Sequence, residues 1–443
     1  MSDSLYAFVS IDLPAMTAGV LAAVVCALLG SFLVLRRQSL AGDAISHSVL
    51  PGLVVGFLVS GTRDALPMFL GAGVAALVSV ALIGAVRRFG RVEPGAAMGV
   101  VFSIMFALGV VLLEQAAARQ VDLDADCVLH GQLETIFWFP PSVWGDFFSW
   151  STLQQTPRQV VVLAATLGVC AAFVAVFFKE LRLAAFDPGL ADALGFRSGA
   201  IHAGLMALVA AATVASFEAV GSILVVAMLI CPAATARLLT DRLGSQLLVS
   251  VLVAALTGVG GYLLGAFGPE PLGLPGAVNA AGMITVVAGL VLALACLAAP
   301  RHGVIARTVR RRRLGARVAR EDALAALYRL EEQRLPATPA AIATLIGVAA
   351  ESERSIRLAE RAGQAEHDGA AYRLTPAGRA EAKQIIRSHR LWESYLVDEA
   401  GLRPDHVHGL ATQLEHLARE QGRVAPDIDR AVDPHEREIP ASD

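Results

Sequence analysis

Charged residues are scarce: Asp, Glu, Lys and Arg make up 17% of the 443 residues, against roughly 25% in ordinary soluble domains. The scarcity is uneven. Residues 14–299 are built of long apolar runs, while 300–443 have the composition of a soluble protein. Two parts of different solvent preference follow, and the net charge of −3 averages over both. Cysteine is also sparse, with five residues (Cys26, Cys127, Cys170, Cys231 and Cys296) and no C-x-x-C pair. Four lie in apolar runs and Cys127 stands in a loop, so neither a disulfide framework nor a zinc ribbon is supported. There is no H-E-x-x-H and no nucleophile motif, which argues against an intramembrane enzyme. There is no G-x-x-x-x-G-K-[ST] phosphate loop, so ATP hydrolysis by this chain is not expected. The first residues, MSDSLYAFVSIDLPAM, have no basic n-region, and the first apolar run reads as a retained span.

What fills the apolar part is a series of segments long enough to cross a bilayer core, which takes about 20 residues. Candidate spans run near 14–35, 44–60, 65–86, 96–115, 159–178, 202–217, 219–236, 244–266 and 278–299. The pair from 202 to 236 is too long for one span and short for two, with Glu218 and Gly221 between them. A broken or re-entrant element is expected there, giving eight or nine spans. Arg36-Arg37, Arg87-Arg88 with Arg91, Lys179 with Arg182, Arg237 with Arg242, and the stretch 301–313 mark alternate ends. By the positive-inside rule the N-terminus lies outside and the C-terminal part in the cytoplasm. The loop 116–158, with Asp122, Asp124, Asp126 and WFPPSVW, then falls outside, as an interfacial loop or as a docking face for an outer partner. Gly and Ala are dense in the spans, which suits close helix packing in lipid.

Ionisable residues inside spans are costly, and function is their default explanation. In LAGDAISHSVLPG (40–52), Asp43 and His47 stand four apart and share a helix face. A carboxylate with a neutral imidazole suits transient binding of Mn, Fe or Zn. The plainer alternative makes Asp43 a helix cap and His47 a structural hydrogen-bonder. Glu218 is either a second functional residue or a polar residue at a helix break.

RRQSLAGDAISHSVLPG, FDPGLADALGF (186–196) and FEAVGSILVVAMLICPAATARLLTDRLG together resemble the permeases of the manganese/zinc/iron-type ABC importer family, over roughly residues 10–300. The resemblance implies a homo- or heterodimer of permeases, two cytoplasmic ATPase subunits and an extracytoplasmic metal-binding protein. It also implies that Asp43 and His47 lie on the metal path. The stretch 231–244, with Arg237 and Arg242, matches the cytoplasmic element that contacts the ATPase. Its position after a span on the positive face fits that role.

Beyond the spans, RHGVIARTVRRRRLGARVAR (301–320) holds eight arginines and no acid, as expected of an anchor on anionic headgroups. Residues 321–443 hold 15 Lys and Arg against 22 Asp and Glu, a net of −7 by subtraction, which argues against a DNA-binding face. EDALAALYRLEEQ reads as an amphipathic helix. TPAAIATLIGV with ESERSIRLAERAG has helix–turn–helix rhythm, and AYRLTPAGRAEAKQIIRSHRLWESYLVDEAGL runs from a wing-like strand into a long helix. Six of the ten histidines lie beyond residue 366. His389 and Glu393 share one helix face; His408, Thr412, Glu415 and His416 share the next. Two such helices would make an N/O site suited to Mn, Fe or Zn, whereas an exposed charged helix pair would not require so much histidine.

From about 318 to 440 this part resembles the iron- and manganese-dependent repressors of the diphtheria-toxin-repressor type, most closely in LTPAGRAEAKQIIRSHRLWESYLVDEAGL, VHGLATQLEH and PHEREIP. The resemblance implies metal ligands at Asp322, His389, Glu393, His408, Glu415 and His416. Thr412 falls where the family offers Cys or Glu, so one site is expected to be weaker. Glu351 and Glu353 in the recognition-helix region would repel phosphate.

The expected molecule is mainly α. A polytopic membrane helix bundle (1–300) and a basic linker (301–317) precede a winged-helix-like domain (318–384) and a helical metal-binding and dimerisation domain (385–443). The expected function is the inner-membrane permease subunit of an ABC importer for a divalent transition metal, manganese before iron or zinc. ATP is used only through a partner, and a regulatory divalent ion binds the cytoplasmic part. The rival is a membrane-tethered, metal-dependent DNA-binding regulator, for which eight or nine spans and an internal Asp/His pair are more than an anchor needs.

Overall fold

Leu13–Leu35 holds no Asp, Glu, Lys, Arg or His and is rich in Ala and Gly, so it can be buried on all sides without an unpaired charge. It forms the central helix of the apolar part. The computed structural model describes residues 3–38, 40–61, 65–117, 131, 133–139, 154–269, 278–347, 349–412, 414 and 431–440, in two units, 1–306 and 307–443.

In the first unit a short α1 (Asp3–Ala7) and a π-helical turn lead into α2 (Leu13–Leu35). There follow α3 (Leu40–Ser48), α4 (Leu50–Ser60), α5 (Ala65–Gly90), α6 (Pro94–Ala117), α7 (Arg158–Val176), α8 (Phe178–Phe186) and α9 (Pro188–Ala193). Then come α10 (Ser198–Leu239), α11 (Leu243–Phe267) and α12 (Ala280–Ala298). Among the described residues, seven helices are long and apolar enough to cross a membrane, and Leu50–Ser60 is a shorter apolar helix.

One expectation about the spans is modified, and the broken element expected over 202–236 is present. The stretch 44–60 is not one helix: Pro51 has no N–H for the carbonyl of His47 four residues back, and α3 gives way to α4 at Val49. The stretches 202–217 and 219–236 belong to one 42-residue run, α10, interrupted at Gly221 with φ 74° and ψ 173°. That conformation is essentially confined to glycine.

Helix α2 packs against α7, α10 and α11. Contact with α10 is close because Gly30 has no side chain; a Cβ there would stand 2.0 Å from the Leu229 carbonyl oxygen. At the far end of α2, Arg36 donates to the Ala184 carbonyl (2.8 Å) and lies 2.6 Å from His202 Nδ1. At the same end Asp241, between α10 and α11, pairs with Arg237, Arg301 and His302. Hydrogen bonds from His302 and Arg301 hold its carboxyl below the ordinary value. The opposite end carries Asp12, which accepts from the Tyr262 hydroxyl (3.0 Å), and Glu134, which accepts from Ala280 N at the start of α12 (2.8 Å). The described part of the loop 116–158 is therefore more than a surface loop. Leu133 is fully buried, and Gly131 lies so close to the α10 break that a Cβ would meet the Val220 carbonyl carbon at 2.4 Å. Asp122, Asp124 and Asp126 lie outside the described residues.

The second unit begins in α13 (Val304–Glu332), whose arginine-rich half is exposed and whose later half buries Leu324, Leu327 and Leu330. Next come α14 (Pro339–Ile346), capped by Thr338, and α15 (Ala349–Arg361). An antiparallel hairpin of β1 (Ala365–Asp368) and β2 (Ala371–Leu374) pairs Ala365 with Leu374 and Asp368 with Ala371. Helix α16 (Pro376–Asp398) starts at the Thr375 cap, whose hydroxyl accepts from Gly378 N. Leu324, Leu327, Ile342, Ile356, Leu374 and Ile385 share one core. This is a winged-helix arrangement, with helix, turn, helix and hairpin packed on flanking helices.

Candidate metal centres

In the membrane half the candidate pair lies on α3. His47 is half-buried, with its ring edge-on to Phe102 (centroids 5.2 Å apart) and Phe106 (5.8 Å) of α6. Asp43 lies one turn earlier on the same nine-residue helix; its side chain is outside the described residues. Ala44 and Ile45 are buried, and Gly42 lies against Leu229 of α10, where a Cβ would stand 2.2 Å from Cδ1. The pair thus sits on a short helix held between α6 and α10, just before the break imposed by Pro51. Glu218 is exposed, less than one turn before the break at Gly221.

In the second unit the candidate site grows from α16. His389 and Glu393, four apart, lie on its buried face, with side chains 3% and 0% exposed. After α16 the chain turns at Gly401 (φ 66°), passes the 3-10 turn Pro404–His406 and enters a helix at His408. Val407 and Ala411 are fully buried and cluster with Leu396, and this small apolar contact aims His408 back at α16. His389 Nε2, His408 Nδ1 and Glu393 Oε1 form a triangle: 3.0 Å between the imidazoles, and 3.1 and 2.9 Å to the carboxylate.

That triangle fits a divalent ion. Ligands at right angles about an ion, each about 2.1 Å from it, stand about 3 Å apart. Imidazole and carboxylate donors suit Zn, Fe and Mn. His408 is 54% exposed, which leaves an approach from solvent. Burial opposes ionisation of Glu393, yet hydrogen bonds from His389 and His408, with the nearby Arg437 charge, hold its carboxyl well below the usual carboxylate range. The carboxylate is ready to ligate at any physiological pH.

Asp322, on α13, is half-buried and is not part of this triangle among the described residues. Glu415 and His416 lie outside the described residues. Thr412 turns its hydroxyl onto the His408 carbonyl (3.0 Å). Spacing alone missed Arg437 and Asp433. Arg437 donates through Nη2 to Glu393 Oε2 and through Nε to Asp433 Oδ2 (2.6 Å). They stand 44 and 40 residues from Glu393, and the only trace in the sequence is their place in DPHEREIP.

The paired basic residues Arg237 and Arg242 sit at the Arg36 end of the bundle. Arg237 pairs with Asp241 (3.7 Å), and Arg242 is exposed. Nearby in sequence, α8 and α9 form an exposed step capped by Asp187, with Phe186, Leu190 and Leu194 turned outward.

Comparison with known proteins agrees with this division. Residues 9–137 and 147–298 match the ABC 3 transport family, and residues 375–441 match the iron dependent repressor metal binding and dimerisation domain. The chain is 39% identical over 292 residues to the manganese transport system membrane protein MntD of Bacillus subtilis, covering 66% of this chain and 93% of the relative. It is 37% identical over 288 residues to the zinc transport system membrane protein TroD of Treponema pallidum, covering 65% and 74%. Among solved structures it is similar to PsaBC from Streptococcus pneumoniae, with a TM-score of 0.52 and 28% identity over 66% of this chain and 92% of that one. With most of its length matched by one transport family and its apolar helices in a bundle, the chain is a multipass membrane protein that belongs to the ABC 3 transport family and also carries a metal-binding domain of the iron-dependent-repressor kind.

Proposed function

We propose that this chain is the permease subunit of an importer that moves a divalent transition metal, manganese before iron or zinc, across the cytoplasmic membrane. The observation that carries the reading is the position of Asp43 and His47, one turn apart on a short helix that breaks before Pro51, within the family-matched half. Ionisable residues inside an apolar span commonly mark an ion path. Relatives named for manganese and zinc transport support the cargo class.

The basic end of the bundle faces the cytoplasm by the positive-inside rule, which leaves the N-terminus outside. A separate ATPase chain hydrolyses ATP and docks near 231–244, where Arg237 and Arg242 offer charge. An extracytoplasmic metal-binding protein delivers the ion at the opposite end. A second permease, identical or paralogous, completes the transporter. The part beyond the spans, divided as 301–317, 318–384 and 385–443, is a cytoplasmic metal sensor. His389, Glu393 and His408 form one ligand set, and Asp322, Glu415 and His416 are further candidate ligands. Exposed Glu351 and Glu353 on α15 speak against strong DNA binding, since phosphate contacts dominate that affinity.

The test is metal uptake by cells carrying Asp43→Ala, His47→Ala or both. Uptake of manganese, and of iron and zinc in parallel, is expected to be lost while membrane insertion persists, because each change makes the helix more apolar. Wild-type uptake by the double variant would remove the pair from the mechanism.

A further inference from the structure

Glu393 has two carboxylate oxygens with different partners. Oε1 faces His389 and His408. Oε2 takes the guanidinium of Arg437, which arrives from the segment 431–440. That segment is firmly held. Asp433, 3% exposed, accepts from the backbone N of His435 and of Arg437 (both 2.9 Å) and from Arg437 Nε. Val432 pairs with Glu438 in a β-bridge, and Ile439 is buried. Arg390 and Arg387 of α16 donate to the carbonyls of Glu438 and Pro440.

We propose that Arg437 is a resident cation of the regulatory metal site, which confines an incoming ion to Oε1 of Glu393 and thereby weakens its binding. Two effects point the same way. With Oε2 engaged by a guanidinium, the carboxylate offers one oxygen to the ion instead of two. The guanidinium also places a positive charge beside the site on a donor the ion must share. Asp433 holds Arg437 from the opposite edge, so the side chain stays when the ion arrives. Loss of a partner that supports a ligand commonly costs about 10–100-fold in metal affinity, whereas a cation on the ligand's far oxygen competes with the ion and works in the opposite sense by a comparable factor. A sensor weakened in this way fills only when cytoplasmic metal is plentiful, which is when slowing import is useful. Arg437 is a positioning residue, and its role rests on the reading of the second unit as a metal sensor.

The experiment is isothermal titration of the full-length chain in detergent with Mn²⁺ and, separately, Zn²⁺. The site is defined as the binding that His389→Ala with His408→Ala removes. Arg437→Ala should bind at least about tenfold more tightly than wild type, by the range given for such partners. Arg437→Gln, which removes the charge and keeps a shorter polar side chain, should also bind more tightly, and Arg437→Lys, which keeps the charge, should stay closest to the wild-type value. A merely structural role would make Ala and Gln bind more weakly. Affinity in Ala and Gln equal to or below wild type overturns the proposal while leaving the sensor reading intact. An isotherm unchanged by the double histidine variant overturns the sensor reading and this inference with it.

Discussion

Arg390 follows the ligand His389 in sequence and carries a different burden. Its side chain is 5% exposed; it donates to both oxygens of Glu332 (3.1 and 2.6 Å) and to the Glu438 carbonyl, and its Nε lies 3.8 Å from Asp433. One side chain thereby ties α13, α16 and the segment 431–440 together. Removing one member of a buried ion pair costs about 3–5 kcal/mol, and the half-exposed Glu332 places this case near the lower end. Arg390→Ala is expected to speed hydrogen exchange in 383–398 and 431–440 by about a hundredfold at that cost (1.4 kcal/mol is a factor of ten). Unchanged exchange would show that the pairing carries no stability. At this scale the sequence shows pairs such as His389 with Glu393, because helical spacing makes them neighbours. It does not show Arg390 with Glu332, 58 residues apart.

Helix α10 shows what hydropathy registers and what backbone geometry adds. Forty-two residues in one straight helix would reach about 63 Å, twice the roughly 30 Å of a bilayer core. Apolar runs place an interruption near Glu218 and Gly221, and it lies at Gly221, where φ is 74°, while Glu218 stays helical and exposed. A glutamate can turn out of a helix, but a β-branched residue cannot hold that φ without strain of about 1–3 kcal/mol. Gly221→Val should lower the thermal midpoint of the detergent-solubilised protein by several degrees, and Gly221→Ala by less. Fluorescence-detected size exclusion after heating measures this, and midpoints equal to wild type would refute the break as a glycine-dependent element. The division of 44–60 at Pro51 was readable in principle, since proline removes a helical donor, but an unbroken apolar run hides it.

At the level of the molecule, a transport bundle and a metal-binding domain on one chain make sense together if occupancy of the second alters the first. An ion held between His408 and α16 biases the second unit toward the arrangement in which they meet, and its differential affinity sets the size of the shift. Coupling of about 1–3 kcal/mol would change transport by roughly 5–150-fold. High internal Mn²⁺ or Fe²⁺ should therefore slow uptake into preloaded vesicles. His389→Ala with His416→Ala, and a chain truncated after Arg313, should escape the inhibition without a higher uninhibited rate. Equal sensitivity to internal metal in all three proteins would leave the second unit as an assembly module.

The sequence by itself determined the division into an apolar and a soluble part, because burial of whole helices in lipid demands runs that no soluble domain carries. It determined the helix-face pairs Asp43 with His47 and His389 with Glu393, since a spacing of four is a local property of the chain. It also carried the likeness to metal-transport permeases and metal-dependent repressors, which reside in short contiguous motifs. Only the tertiary structure decided that α10 bends at Gly221 against Gly131, that Phe102 and Phe106 enclose His47, and that His408 completes a triangle with α16. It alone decided that Arg437 occupies the far oxygen of Glu393. Each of these is a meeting of residues distant in sequence. Packing and charge pairing select such meetings from the many that the chain's local preferences allow.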